Sequence, residues 1–350
     1  MKFSIHNTIS DLDTLAGEWN DLLEQSAIHV PFLRYEYLRN WWQTLGGGEW
    51  KQGKLFVVSG RDAENTLRGI APLFFTENRS GEPALMLLGS IEISDYLDLI
   101  VRPAEVSAFV DGLLAYLDTV QGIAWGVLDW YNLLEDSPTL TALKSTAQKM
   151  GWEFTLEQLQ PAPYIPLPED RPGVKQEQDL WEVYLAGIDK KQRHEIRRKI
   201  RRAETNDLPV RWYIVEDEAD LDKEVDAFLE LMMQDPAKAS FLTETMRRQM
   251  HTTAQTMFQA GWLQLAFLEV GEQKAAGYFN FDYKNHIWVY NSGLNFEQAH
   301  LSPGWVLLAY LLQWAIQQER TCFDFMRGNE IYKYRFGALN RYVTRAILRR

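Results

Sequence analysis

Four prolines, Pro161, Pro163, Pro166 and Pro168, fall within eight residues near the middle of this chain, and they limit what it can fold into more than any other stretch. A proline ring cannot sit inside a helix and donates nothing to a sheet ladder, so the segment Gln160 to Pro168 reads as an extended linker or a crossing strand. A length of 350 residues is generous for a single core. The boundary therefore belongs at the prolines, predicting one domain over 1–160 and a second over 161–350.

Both halves read as α/β with a similar order of elements. In the first, a strand from Phe3 to His6 precedes a helix capped at Ser10, with Leu15, Trp19 and Leu22 at helical spacing. A helix from Arg34 to Thr44 stops at Gly46-Gly47-Gly48. Strands follow at Lys54 to Val58, Leu67 to Phe75, Ala84 to Leu88 and Tyr96 to Val101. A helix over Pro103 to Thr119, a buried strand from Trp125 to Trp130 and a helix from Thr139 to Met150 complete it. In the second half a helical stretch runs from Trp181 to Asn206, then a strand at Val210 to Val215 and two helices, Glu218 to Met233 and Thr243 to Ala260. A hairpin (Leu263 to Tyr283), a strand (His286 to Ser292), a helix (Pro303 to Glu319), a strand (Thr321 to Met326) and a final strand (Tyr342 to Leu348) follow. Each hairpin carries a glycine near the start of its second strand, Gly69 and Gly277. The shared order suggests two versions of one domain, each a mixed, largely antiparallel sheet flanked by helices.

Composition narrows the function. Hydrophobic residues make up 46% of the chain, enough for two cores, and the net charge of -12 argues against a surface that binds nucleic acid or anionic lipid throughout. One stretch opposes that balance: Lys190, Lys191, Arg193, Arg197, Arg198, Lys199, Arg201 and Arg202. On a helix these charges wrap most of the circumference, either as a solvated surface or as a grip on phosphates of a donor, an RNA or a lipid-linked sugar. The lone cysteine, Cys322, excludes an intrachain disulfide, the opening MKFSIHNTISDLDTL has no apolar signal core, and no apolar run is long enough for a membrane span. A cytoplasmic location is the expectation. His194, His286 and His300 lack metal-ligand spacing, and no metal is expected.

The most informative stretch is YNSGLNFEQAHLSPGWVLLAYLLQWAIQQERTCFDFMRGNEIYKYRFG, Tyr290 to Gly337. It reads as strand, turn, helix, strand and a polar aromatic segment. Ser302-Pro303-Gly304 opens the helix, and a helix mouth with free N–H groups suits a phosphate; the same triplet also opens ordinary helices. Asp324 lies inside an apolar strand, where a carboxylate needs a partner, with Arg327 or Lys333 the candidates; a structural ion pair and a catalytic group both satisfy that requirement.

The run FDFMRGNEIYKYRFG resembles the signature of the CelD-type (cellulose biosynthesis) acetyltransferases, members of the GNAT superfamily related to FemAB-like transferases. Upstream, YNSGLN…LSPGWVLLAYLLQWAI is similar to that family's strand and acyl-donor helix. Pro31-Phe32-Leu33 with Trp41-Trp42, the run Ser94 to Asp98, and Lys191 to Arg198 are weaker matches. The usual pyrophosphate loop of the superfamily is replaced here by Ala299 to Gly304.

The resemblance implies an N-acyltransferase that moves an acyl group from acetyl-CoA or another acyl-CoA to an amine, hydroxyl or sugar acceptor, in polysaccharide or cell-envelope assembly. Tyr290, Asn291, Ser292, Ser302, Pro303, Gly304 and Arg327 are expected to bind the donor, with a backbone N–H near Tyr290 to Ser292 facing the acyl oxygen. Asp324 or Glu330 is the expected base, and Tyr332, Lys333 or Tyr290 the donor to the leaving thiolate. Two rivals remain open: an aminoacyl-tRNA-dependent transferase of the FemAB kind, with tRNA held by the basic helix, and a non-catalytic ligand-binding module.

Overall fold

A computed structural model describes residues 1–120, 122–168 and 179–350. It divides into two units, 1–160 with 342–350, and 161–341. Each is a mixed, largely antiparallel sheet system flanked by helices. Among the described residues no helix is long and apolar enough to cross a membrane.

The first unit runs β1 (Lys2–His6), α1 (Ile9–Asp13), α2 (Ala16–Leu23), α3 (Tyr35–Gly48), β2 (Lys54–Leu55), β3 (Val57–Arg61), β4 (Leu67–Ala71), β5 (Leu73–Glu77), β6 (Pro83–Leu87), β7 (Ile100–Val101), α4 (Val106–Thr119), β8 (Val127–Leu134), α5 (Pro138–Met150) and β9 (Glu153–Pro161). Thr8, not Ser10, caps α1, because Asp11 sits where it can close a reciprocal capping box with Thr8. The strand expected over Leu67 to Phe75 is two strands. Pro72 has no N–H for the ladder, and the chain changes sheets there: β4 joins β1-β3-β4-β7, whereas β5 joins β2-β5-β6-β8. Of the strand expected over Tyr96 to Val101, just Ile100 and Val101 pair; Tyr96 to Leu99 form a buried loop.

The second unit runs β10 (Tyr164–Pro166), α6 (Leu180–Gly187), α7 (Lys190–Glu204), β11 (Val210–Ile214), α8 (Glu218–Met233), α9 (Pro236–Phe241), α10 (Glu244–Gln259), β12 (Leu263–Val270), β13 (Gln273–Tyr283), β14 (His286–Leu294), α11 (Pro303–Gln317), β15 (Cys322–Asp324) and α12 (Ile331–Arg335). The single helix expected from Trp181 to Asn206 is broken at Ile188, where Asp189 turns its carboxylate onto the amides of Lys191 and Gln192 and starts α7 afresh. The sheet order is β11-β12-β13-β14-β15-β10, antiparallel except that β14 and β15 run parallel. Helices α6, α7 and α11 cover one face, with Leu185, Ile196, Val306 and Leu311 in one core with Ile287 and Phe323 of the sheet. Helix α8 covers the other so closely that a Cβ on Gly293 would lie 2.7 Å from Leu231 and 2.8 Å from the Met232 amide nitrogen.

The chain's last strand, β16 (Tyr342–Arg349), corrects the expected boundary of 161–350. It pairs antiparallel with β8 and belongs to the first unit. Its Val343, Ala346, Ile347 and Leu348 are buried, and Arg345 forks onto the fully buried Asp129 at 2.7 and 2.9 Å. A buried carboxylate holds its strand neighbour firmly when both N–H groups of a guanidinium meet it. In each unit an antiparallel run meets a parallel pair (β6 with β8, β14 with β15) joined through a helix, α4 or α11. The parallel pairs then diverge. Each unit therefore has a fork.

Candidate functional site

In the second unit the parallel register runs through His286↔Cys322, Ile287↔Phe323 and Trp288↔Asp324 and stops there. On the β14 arm the ladder to β13 skips one residue: Phe279 pairs with Asn291 and Asn280 with Val289, leaving Tyr290 as a bulge. A bulge releases backbone groups from the ladder, which is the property an acyl-oxygen site needs. Ser292 does not supply the free amide, because its N–H is 2.9 Å from Asn291 Oδ1. That removes Ser292 from the expected donors.

On the β15 arm, Asp324 is fully buried; its Oδ1 accepts the Met326 amide at 2.7 Å and its Oδ2 pairs with Arg341. The partner expected from the sequence was Arg327 or Lys333. Arg341 takes the place because the chain returns beside β10: Ala162 donates to the Arg341 carbonyl and Tyr164 bridges Leu339. Neither contact is visible in residue spacing.

Lys333 is 3% exposed and donates to the carbonyls of Phe325 (3.2 Å), Arg327 (3.1 Å) and Gly328 (3.2 Å), with Glu330 at 2.9 Å. Its ammonium folds the loop after β15 around itself. Gly328, at φ 124°, is needed there, since a Cβ would lie 2.5 Å from Glu330 and 2.9 Å from the Lys333 ammonium. Lys333 is thus committed to the loop, in contrast to the thiolate donor expected of it. Tyr332 meets Tyr278 in a hydrogen bond, and burial, with the Glu330 charge, pushes its pKa well above the ordinary phenol range. It stays a protonated donor. Glu330 is exposed at the edge of this group, free of the burial that encloses Asp324.

Sequence reasoning missed Lys238 of α9. Its Nζ donates to Asn291 Oδ1 at 2.9 Å and to the Ser292 carbonyl. Burial lowers its pKa, opposed by Asp235 and Glu330 and assisted by Lys333. A lone lysine in a six-residue helix carries no spacing signal.

The mouth of α11 also differs from expectation. Pro303 has no N–H, and the amides of Trp305 and Val306 turn back to the Ser302 carbonyl, so Gly304 is the one first-turn amide not bound within the turn. Ser302, in the left-handed region at φ 54°, gives α11 no side-chain cap; its hydroxyl accepts from Arg202 at 3.0 Å. Helix α7 supplies the charge. Lys199 lies 3.8 Å from the centre of the Trp305 ring, near Arg335, and the buried Nε of Arg202 has no hydrogen-bond partner among the described residues. An orphaned guanidinium N–H beside a helix start suits a phosphate group. Arg327, on the β15 arm, is half-buried.

The charges of α7 are sorted rather than spread. Arg193 and Arg197 bind the Leu185 and Ala186 carbonyls and Glu182, and Lys199 and Arg202 face α11. Lys190, Lys191, His194, Arg198 and Arg201 are exposed. At i, i+4, i+8 and i+11, Lys190, His194, Arg198 and Arg201 form one exposed stripe, so the charges that wrap most of the helix are divided between solvent and internal partners.

Comparison with known proteins bears on the fold. Residues 190–334 match the family model described as an acetyltransferase (GNAT) domain. FemX has a similar structure (TM-score 0.66, 9% identity, covering 99% of this chain and 97% of that one). A conserved protein of unknown function from Bacteroides thetaiotaomicron VPI-5482 gives a TM-score of 0.61 at 11% identity, with 100% of both chains covered. A tandem GNAT protein from the clavulanic acid biosynthesis pathway gives 0.50 at 11%, covering 99% and 98%. At such identities the likeness is one of fold. No curated protein matches the sequence.

Proposed function

We propose that this chain is an acyltransferase drawing on an acyl-CoA donor, with its chemistry at the fork of the second unit; the match of residues 190–334 to the acetyltransferase (GNAT) domain model and the fold it shares with FemX and the tandem GNAT protein support the reading. The observation that carries this reading is the α7–α11 junction, where Arg202, Lys199 and the Gly304 amide converge on one helix start. An acyl-CoA supplies a thioester carbonyl and a phosphate-bearing arm; Arg202 and Lys199 would hold the phosphates. The bulge at Tyr290 presents a backbone N–H toward the acyl oxygen. Glu330, exposed and close to the fork, takes the proton from an amine or hydroxyl acceptor. Tyr332, kept protonated by burial, donates to the departing thiolate. Asp324 is assigned no proton transfer here, since Arg341 and the Met326 amide occupy it. Nor does Cys322 act as a nucleophile: burial and the Asp324 charge push its thiol pKa up to about 12.

The experiment is thiol release from acetyl-CoA and longer acyl-CoAs against a panel of amines and amino sugars, with thermal shift as a binding readout. Glu330→Gln and Tyr332→Phe are expected to lower kcat on the order of 10²-fold each. A protein that releases no thiol and is not stabilised by any acyl-CoA removes the proposal.

A second reading, aminoacyl-tRNA as donor, is favoured by the exposed cations Lys190, Lys191, Arg198 and Arg201 of α7. Binding of tRNA that weakens steeply with salt, and is lost on reversing those charges, would select it over acyl-CoA.

A further inference from the structure

The two arms of the second unit's fork end without a strand between them, and each arm is held by one lysine. Lys333 gathers the carbonyls of the β15 arm; Lys238 gathers Asn291 Oδ1 and the Ser292 carbonyl of the β14 arm. Asn291 Oδ1 also accepts the Ser292 N–H, so one ammonium and one amide fix both residues next to the Tyr290 bulge. Taking an ammonium out of water is costly, and a methionine would fill similar space without that cost. What methionine lacks is donors. Helix α9 stands on the α8 face of the sheet, opposite the donor-holding α7 and α11, so Lys238 bears on the bulge from the other side.

We propose that Lys238 is a positioning residue of the transfer reaction, locking the segment Tyr290 to Ser292 so that the bulge amide keeps a fixed place beside the acyl carbon. This rests on the acyltransferase reading. It predicts a split in kinetics: Lys238→Met lowers kcat on the order of 10²-fold, as expected for a misplaced donor, while KM for the acyl-CoA stays within about twofold. Lys238→Arg, which retains donors, recovers most of the rate.

Amide hydrogen exchange in the peptide spanning 288–294 tests the same lock with no substrate present. The expected result is about tenfold faster exchange of the 290–292 amides in Lys238→Met, restored in Lys238→Arg. Unchanged exchange overturns the lock whatever the activity; faster exchange with unchanged kcat overturns its role in transfer. If the wild type transfers nothing, the acyltransferase reading fails, and so does the assignment to transfer, while exchange still decides the lock. Should Lys238→Met not fold, Lys238→Gln, with a single amide group in place of the ammonium, carries the comparison.

Discussion

The two forks of this protein share a strand plan and differ in what occupies the divergence. In the first unit, β6 and β8 pair at Ala84↔Val127 and Leu85↔Leu128, and the backbone of residues 91–97 is held beside β8 by the unit's own side chains. Asn132, buried and at φ 64°, donates to the carbonyls of Ile91 and Ser94 at 2.8 Å and accepts the Leu97 amide. Tyr37 bonds the Ile93 carbonyl, and Glu49 takes the amides of Ile91 and Glu92. Every residue of β8 is buried. In the second unit the arms are terminated by lysine ammoniums, and Tyr290, Asn291, Ser292, Arg327, Gly328, Asn329 and Glu330 keep access to solvent. A fork can be finished as structure or left as a site, and the difference lies in what satisfies its loose carbonyls: the buried, neutral side chains of Asn132 and Tyr37 in the first unit, lysine ammoniums beside solvent-accessible residues in the second.

The strongest way to break this contrast is to remove an ammonium that has no substitute. Lys333→Met leaves three carbonyls and Glu330 without their partner and should destabilise the protein by about 4 kcal/mol in urea unfolding, since breaking a buried charged contact typically costs 3–5. A loss below about 1 kcal/mol would mean the loop does not depend on it.

Next comes the plug of the first unit. Asn132→Ala strands two buried carbonyls and puts a β-carbon residue without the asparagine side chain in a left-handed conformation, for an expected loss of about 3 kcal/mol. Transfer by the remaining folded protein should be unchanged. A fall in kcat instead would give the first unit a part in the chemistry.

The pH dependence separates the units further. Burial raises Glu49 to about 7 and Asp98 to about 6, both above their unfolded values. The folded state then holds more protons than the unfolded one between about pH 4 and 7, so the contribution of these groups to stability falls as pH rises through that window. Glu49→Gln should remove about 2 kcal/mol of the difference between pH 5 and pH 8, read by urea unfolding at both. An equal difference in the variant would clear Glu49 of it.

The smallest effect is at the donor end. Arg202→Ala is expected to raise KM for acyl-CoA about tenfold at constant kcat, the loss of one charge-assisted contact. A change in kcat alone would move Arg202 from binding to chemistry.

Local pattern carried much of the fold. Helical spacing located α8, α10 and α11, the hairpin at Gly271 was legible from its turn residues, and the four prolines marked where the chain leaves one sheet for another. Pattern failed where the deciding partner was distant. Whether Ser10 or Thr8 caps α1 depends on which oxygen reaches which amide, and the strand through Pro72 is split because two different sheets receive its halves.

What the sequence determined by itself is the chemistry available: one cysteine, a basic helix in an acidic chain, and the cluster from Asp324 to Lys333. Tertiary structure decided which of these groups remain usable. Arg341 claims Asp324, three carbonyls claim Lys333, α11 claims the inner charges of α7, and an unremarked lysine at 238 reaches the bulge. The reason is physical. A polar group's role is set by what else is buried near it, and burial depends on contacts between residues far apart in the chain.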